Sequence, residues 1–526
     1  MVALLRCGGF CGHRAMGAAV IFVSVVLLGL VSVCFASEDE VKDVTSADAN
    51  VGAHYRDNLE LEAALKNFTQ RCRHISRLYT IGNSTLGVPL WALEISDKPG
   101  VFEPEPAFKY VGNMHGDEPL GRELVLLLAD WLCDNYLKDP MASLIVDKIH
   151  LHLLPSMNPD GFAAQNGPTR NNAHDVDLNR DFPDQFFPQN NNEEKRQAET
   201  RAMMSWIRST RFTASASFHE GALVANYPWD GNPDISQKYA TSPDDSTFKY
   251  LAGVYANNHP VMSKSKEFVG GVTNGAAWYP LYGGMQDWNY LHGNCLDLTL
   301  EMNDQKWPHP TQIPRIWSEH RKSLLELVAA TVKSGVHGRV MSSKKAQPLP
   351  ASISVSGISH SMNASAEFGD YHRLLAPGQV YEVTASMAGY SSRSTFIFLP
   401  NHTAITLDFI LDPLPAAAVE EEKKTPHTQA PGEKAETKTP VTKPGKTPPL
   451  TTEEMGSEEV IFRKPAKSLR NGLHSVDEEG GLGSSLPLRL IYLLPLVSVA
   501  AVLVCLFLAS RGSYRYNTAR QRLSRV

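Results

Sequence analysis

A histidine and a glutamate stand three residues apart in Val111-Gly112-Asn113-Met114-His115-Gly116-Asp117-Glu118-Pro119, and a lone His219 closes the strand-like run 212–218. Two imidazoles and one carboxylate are the donor set with which hydrolases commonly hold zinc, the fourth position being left to water. By itself His-x-x-Glu is a common pattern, and on a helix it is usually a solvated face. The flanking residues change that reading. Residues 108–111 read as a short buried strand, 112–117 as a Gly- and Asn-containing loop, and Pro119 suits the first turn of a helix, where its missing N–H costs nothing. His115 and Glu118 therefore fall beyond the carboxyl end of a strand, where α/β sheets place their ligands.

Further chemistry-bearing residues are scattered along the chain. Arg170, Asn179 and Arg180 lie in a loop-like stretch, and a guanidinium near a metal suits carboxylate binding through two parallel hydrogen bonds. Asn226-Tyr227-Pro228-Trp229-Asp230 follows His219, and Tyr279 precedes Gly283-Gly284-Met285-Gln286-Asp287-Trp288. Glu301 follows the strand-like run 296–300. Taken singly, each has a bland reading as a turn residue, a surface arginine or a strand-terminal charge; the significance lies in the set.

These residues need a scaffold, and the apolar pattern supplies one. Residues 50–335 alternate helix-like segments (59–72, 121–136, 193–208, 316–332) with strand-like ones (76–81, 89–95, 108–111, 149–154, 213–218, 297–300). This alternation predicts an α/β fold with helices packed on a mixed sheet. Residues 336–412 carry strand-like runs at 337–341, 352–355, 381–385, 394–399 and 406–411, punctuated by Pro and Gly, which predicts a small all-β sandwich. Residues 413–485 are rich in Pro, Lys, Thr and Glu and bury too little apolar surface to fold, so a solvated stalk is expected.

Both ends are hydrophobic. Arg6 and Arg14 precede the apolar run 18–33, and small residues at Cys34 and Ala36 suit a signal peptide over residues 1–36. Residues 490–509 are apolar throughout and long enough to span a bilayer, and five arginines follow, which puts the tail 510–526 in the cytosol. The expectation is a single-pass type I membrane protein of the secretory or endosomal system or the plasma membrane, its bulk lumenal or extracellular. Sequons at Asn67, Asn83, Asn363 and Asn401 suit that side. Outside the two hydrophobic ends only Cys72, Cys133 and Cys295 remain of the seven cysteines, so at most one intrachain disulfide forms, its partners unspecified. The net charge of −6, with no basic stripe carrying interleaved aromatics, excludes general nucleic-acid binding.

Together, His115-Gly-Asp-Glu118, Asp-Leu-Asn179-Arg180-Asp-Phe-Pro and Gly-Gly-Met-Gln286-Asp-Trp-Asn-Tyr resemble the zinc carboxypeptidase family, and within it the regulatory branch of carboxypeptidases D, E, M and N, over roughly residues 55–412. The resemblance implies the carboxypeptidase α/β fold followed by a transthyretin-like sandwich, and one zinc ion held by His115, Glu118 and His219. It implies Glu301 as the general base toward the attacking water and Arg170 as the group that steadies the oxyanion. It implies Asn179, Arg180 and Tyr279 as the clamp on the substrate's terminal carboxylate. Asp230 and Gln286 fall in the side-chain pocket, which implies removal of C-terminal Arg or Lys from peptides or proproteins. The chain departs from the branch at one point: Glu220-Gly221 stands after His219, where the branch usually has Gly-Gly. Three readings follow: an active zinc exopeptidase, a catalytically silent peptide-binding or adhesion module on the same fold, and a membrane receptor whose β-sandwich is the functional part.

Overall fold

The computed structural model describes residues 54–415. The chain enters through α1 (Asn58–Arg71), whose Asp57 and Glu60 form a reciprocal capping box that satisfies two of the orphan N–H groups at a helix start. An eight-stranded sheet follows, with the order β1-β2-β4-β3-β5-β8-β6-β7. Its strands are β1 (Ser76–Asn83), β2 (Pro89–Ile95), β3 (Ala107–Val111), β4 (His150–Leu154), β5 (Ala214–His219), β6 (Ala222–Tyr227), β7 (Val272–Asn274) and β8 (Leu296–Asn303). The central pairs β4·β3, β3·β5 and β5·β8 are parallel, whereas β1·β2, β2·β4 and β6·β8 are antiparallel. This is the expected mixed sheet. Strands β3, β4 and β5 are buried at every position, the pattern of parallel strands covered on both faces.

The covering helices are α2 (Leu120–Asn135), α3 (Pro140–Lys148), α4 (Ala198–Thr210), α5 (Asp245–Asn258), α6 (Met285–Gly293) and α7 (Ile313–Lys333). Helix α4 starts five residues later than the expected 193, because the preceding turn is drawn onto another loop: the Gln197 N–H donates to Asp181 Oδ2 at 2.8 Å. Pro119 sits one residue before α2 and offers no side-chain cap. Helices α3, α5 and α6 and strand β6 were not announced by the apolar pattern. In α6 the reason is plain: Gln286, Asp287 and Asn289 are all buried polar residues, so the apolar period is broken where the site needs polar groups.

Residues 336–411 form two packed sheets. One has the order β11-β10-β13-β14 and the other β12-β9-β15, with β16 also pairing β9. The strands are β9 (Val336–Ser342), β10 (Ser352–Val355), β11 (Ile358–Asn363), β12 (Asp370–Arg373), β13 (Val380–Ser386), β14 (Arg393–Phe398), β15 (Ile405–Thr406) and β16 (Phe409–Leu411). Val340, Ile353, Val383, Leu399 and Leu411 fill the space between them. The unit is anchored to the larger one by a buried ion pair, Arg373 to Asp244 at 2.8 Å, with the Tyr290 hydroxyl donating to the same carboxylate at 2.7 Å.

Cys72 and Cys133 form a disulfide joining the end of α1 to α2, and Cys295 is a buried free thiol. Among the described residues no helix is long and apolar enough to cross a membrane. The expected leader, the stalk beyond residue 415, the span 490–509 and the tail lie outside the described residues.

Candidate active site

Strands β3, β5 and β8 are consecutive and parallel in the sheet, and the candidate residues gather beyond their carboxyl ends. The order of connection reverses here, β3 leading to β4 on one side and β4 to β5 on the other, which opens a crevice. His219 is the last residue of β5 and pairs in register with Glu301 of β8, so the two side chains stand side by side on one face.

The loop after β3 is folded around Asn113, fully buried with a left-handed backbone (φ 52°). Its Nδ2 donates to the carbonyls of His115, Gly116 and Glu118 at 2.8, 3.3 and 3.2 Å. One side chain thereby fixes the peptide units of both candidate ligands. Gly116 is required because a Cβ there would lie 2.2 Å from the Gly161 carbonyl carbon. The loop thus packs backbone to backbone against Asn158-Pro159-Asp160-Gly161. Asn158 in turn donates to the Arg170 carbonyl at 3.2 Å, which carries Arg170 to the same place.

His115 Nδ1, Glu118 Oε2 and His219 Nδ1 converge, with separations of 3.1, 3.0 and 3.1 Å. All three residues are buried. His115 Nε2 faces Asp177 Oδ1 at 3.0 Å, so its proton belongs on Nε2 and the Nδ1 lone pair points into the cluster. Burial pushes His219 down, which keeps its imidazole neutral. Burial opposes ionisation of Glu118, but His115 and His219 outweigh it and hold the carboxyl well below its usual range. His115, between two carboxylates, is raised against the effect of burial, so a metal would displace a proton there. Two imidazole nitrogens and a carboxylate oxygen meeting at a buried point fit zinc.

Asp177 is the largest omission from the sequence reading of this site. Besides His115 it accepts from Arg170 Nε at 2.9 Å. Burial opposes its charge, yet His115 and the two arginines hold it far below the usual carboxylate range. Arg170 Nη1 reaches to within 3.4 Å of Glu118 Oε1. Lys306, also unforeseen, places Nζ 2.7 Å from the same oxygen and 3.0 Å from Asp117.

Glu220 has a structural task. Its Oε1 accepts the Leu120 N–H at 2.7 Å and its Oε2 the Trp307 N–H at 2.9 Å. It supplies the cap that Pro119 cannot; burial, with Glu118 and Glu301 nearby, raises its carboxyl well above the usual range, and the two N–H donors oppose this. Its side chain is committed away from the three converging donors, while its backbone N–H donates to Glu118 Oε2 at 3.1 Å.

The remaining residues form the adjoining wall. Asn179 Oδ1 accepts the Met285 N–H at 2.9 Å, tying the Asp-Leu-Asn-Arg turn to the start of α6. Gly283 (φ 72°) lets this happen: a Cβ there would lie 2.5 Å from the Arg180 carbonyl oxygen. Arg180 is exposed toward solvent. Tyr279 caps the short turn Gly275–Trp278; burial raises its phenol, Glu301 adds to this, and Arg180 and Arg170 oppose. All three charges are thus within its electrostatic reach. Gln286 Nε2 donates to Asp230 Oδ1 at 2.9 Å, and both are buried.

The sequence profile described as "Zinc carboxypeptidase" matches residues 61–323, which contain all these positions. The chain belongs to the zinc carboxypeptidase family. It is 56% identical over 385 residues to carboxypeptidase SOL1 of Arabidopsis thaliana, covering 73% of this chain and 77% of that one. It is 41% identical to the carboxypeptidase N catalytic chain of Mus musculus, over 67% of this chain and 84% of that one. It is 40% identical to carboxypeptidase D of Mus musculus over 70% of this chain, a match that spans 28% of that protein.

For this carboxypeptidase, Asp177→Asn is expected to weaken zinc about 10- to 100-fold, because an amide no longer fixes the His115 tautomer. Competition against a calibrated chelator measures it. Unchanged affinity would mean that the tautomer is set by another group.

Proposed function

We propose that the chain is a zinc-dependent exopeptidase that removes C-terminal Arg or Lys from peptides or proproteins in the secretory or endosomal pathway. The observation that carries the specificity is the pocket floor. Asp230 is a fully enclosed carboxylate, and Gln286 Oε1 and Asn226 Oδ1 beside it are buried acceptors with no hydrogen-bond partner. A Cβ at Gly275 would lie 2.1 Å from Asp230 Oδ1 and 3.1 Å from Asn226 Oδ1, so only glycine lets these two acceptors pack this close to the backbone. A guanidinium or ammonium supplies the donors that such a floor lacks.

A zinc ion held by His115, Glu118 and His219 would polarise the scissile carbonyl and acidify the attacking water. Glu301, beside His219, takes the proton of that water and passes it to the leaving amine. Arg170 faces the developing oxyanion, a charge absent from the ground state. Asn179, Arg180 and Tyr279 hold the terminal carboxylate, which only a chain end carries, so cleavage is confined to the last peptide bond. A secretory location is supported by the Cys72–Cys133 disulfide, since such bonds persist in oxidising compartments. The four sequon asparagines are all exposed. Glu220, the residue that suggested a silent module, is occupied elsewhere.

The test incubates the purified chain with peptides ending in Arg, Lys, Phe or Glu and reads products by mass spectrometry, with and without a zinc chelator. Chelator-sensitive loss of one terminal Arg or Lys is expected. Full zinc occupancy without cleavage of any peptide would make the chain a binding module.

A further inference from the structure

At the opposite end of the same strands lies a second cluster of metal-ligating groups. His150 opens β4 and pairs in register with Ala107 at the start of β3. The segment entering β3 carries Glu103 and Glu105. The His115 centre lies beyond the far ends of these strands, roughly 16 Å away at about 3.3 Å per residue. The two clusters share no residue.

Glu103, Glu105 and His150 each offer one donor atom, and the three atoms lie within 4.8 Å of one another. Glu105 Oε2, Glu103 Oε2 and His150 Nε2 are all buried without a hydrogen-bond partner. His150 is only 6% exposed, and its Nε2 stands 3.9 Å from Glu105 Oε2. Buried polar atoms are rarely left unmade, and three facing one another require an explanation. The surrounding contacts leave these atoms open. Lys98 engages the other oxygen of Glu103 at 2.5 Å. His150 Nδ1 faces Glu94 Oε1 at 3.6 Å, and Glu94 is itself fixed by Arg77 Nε and the Gly100 N–H, both at 2.9 Å. A carboxylate behind one imidazole nitrogen is the arrangement that directs the other toward a metal.

We propose that Glu103, Glu105 and His150 form a second divalent-cation site, of the zinc class, at the seam between the catalytic domain and the β-sandwich. An imidazole donor selects a borderline transition ion over calcium or magnesium, which take oxygen ligands. Tetrahedral zinc at about 2.1 Å from its donors spaces them about 3.4 Å apart, so the His150–Glu105 separation needs only a small side-chain closure. A cleft of ≈ 800 Å³, lined by these residues and by Asp370 and His372 of the sandwich, gives the ion access and a water for its open position. The site has a structural consequence. Phe102, next to Glu103, stacks on Phe368 of the sandwich at 5.6 Å, so an ion that fastens this segment also fastens the seam. The family resemblance implies one ion; this geometry provides for two.

The full chain, saturated with zinc and dialysed, is assayed for metal by mass spectrometry. Two equivalents are expected in the wild type. One is expected in His150→Ala and in Glu105→Gln, both with peptide cleavage within about twofold of wild type, which certifies folding. One is also expected in His115→Ala/His219→Ala, where bound cobalt should give an absorption band that Glu105→Gln removes. A single equivalent in the wild type, unaffected by His150→Ala, would overturn the proposal, as would absence of cobalt binding in the double variant. Two equivalents lost in these steps, but without any peptide cleavage, would leave this site standing and remove the exopeptidase reading instead.

Discussion

Glu301→Gln is expected to lower kcat on a peptide ending in Arg about 1,000-fold or more, with KM and bound zinc close to wild type. Glutamine matches the shape of the side chain and keeps its hydrogen-bonding capacity, so the register of β8 beside His219 survives. What is lost is the ability to accept a proton from water and return it to the amine. Positioned acid–base groups contribute about 10²- to 10⁴-fold, and here one group serves both transfers. Initial rates over a substrate series, together with zinc per chain, separate this outcome from loss of the metal. Near-normal kcat would move the base elsewhere. Glu220 would be the next carboxylate to test, although both of its oxygens accept backbone N–H groups.

The scaffold was legible where short strand-like segments are bounded by turn residues. Strands β3, β4, β5 and β8 interleave apolar residues with polar ones, and they are the strands that place the site. The three candidate donors were legible because zinc chemistry restricts residue type, so His115, Glu118 and His219 stand out once their loops are seen to follow strands, and the fold brings them together. Helix α6 was not legible, since its buried face carries Gln286 and Asp287 in place of an apolar stripe. Nor were Asn113, Asp177 and Lys306. Their contributions come from hydrogen bonds to groups distant in sequence, and an Asn in a loop or a Lys after a strand has the same appearance whether or not such a partner exists. Glu220 shows the same limit in reverse. By sequence it is a charge next to a ligand; in the fold it caps α2 from 100 residues away.

Asp230→Asn is expected to reduce kcat/KM about 100-fold for peptides ending in Arg or Lys, while peptides ending in Phe change by less than about threefold. Truncating one partner of a buried, hydrogen-bonded charge pair costs about 2–5 kcal/mol, and each 1.36 kcal/mol is tenfold in rate. Asparagine preserves the contact with Gln286 Nε2 and removes only the charge, so the loss should follow the charge of the substrate's last side chain. The same carboxyl predicts a pH signature. Burial pushes Asp230 up to about 7, with Arg180 opposing. Asp287 adjoins it, its oxygens accepting the Asp230 N–H at 3.1 and 3.2 Å. Burial and the Asp230 charge push Asp287 itself well above its usual range. As pH falls through about 7 the free enzyme increasingly carries a protonated, neutral Asp230, while a guanidinium substrate stays charged. KM for Arg-ending peptides should rise as pH falls from 8 to 6. A bound cation draws the proton off again, so kcat should carry less of this dependence, and Asp230→Asn should flatten the KM profile in that window. A variant that still prefers Arg over Phe would transfer the recognition to Asp287, a buried carboxylate that accepts the Asp230 N–H.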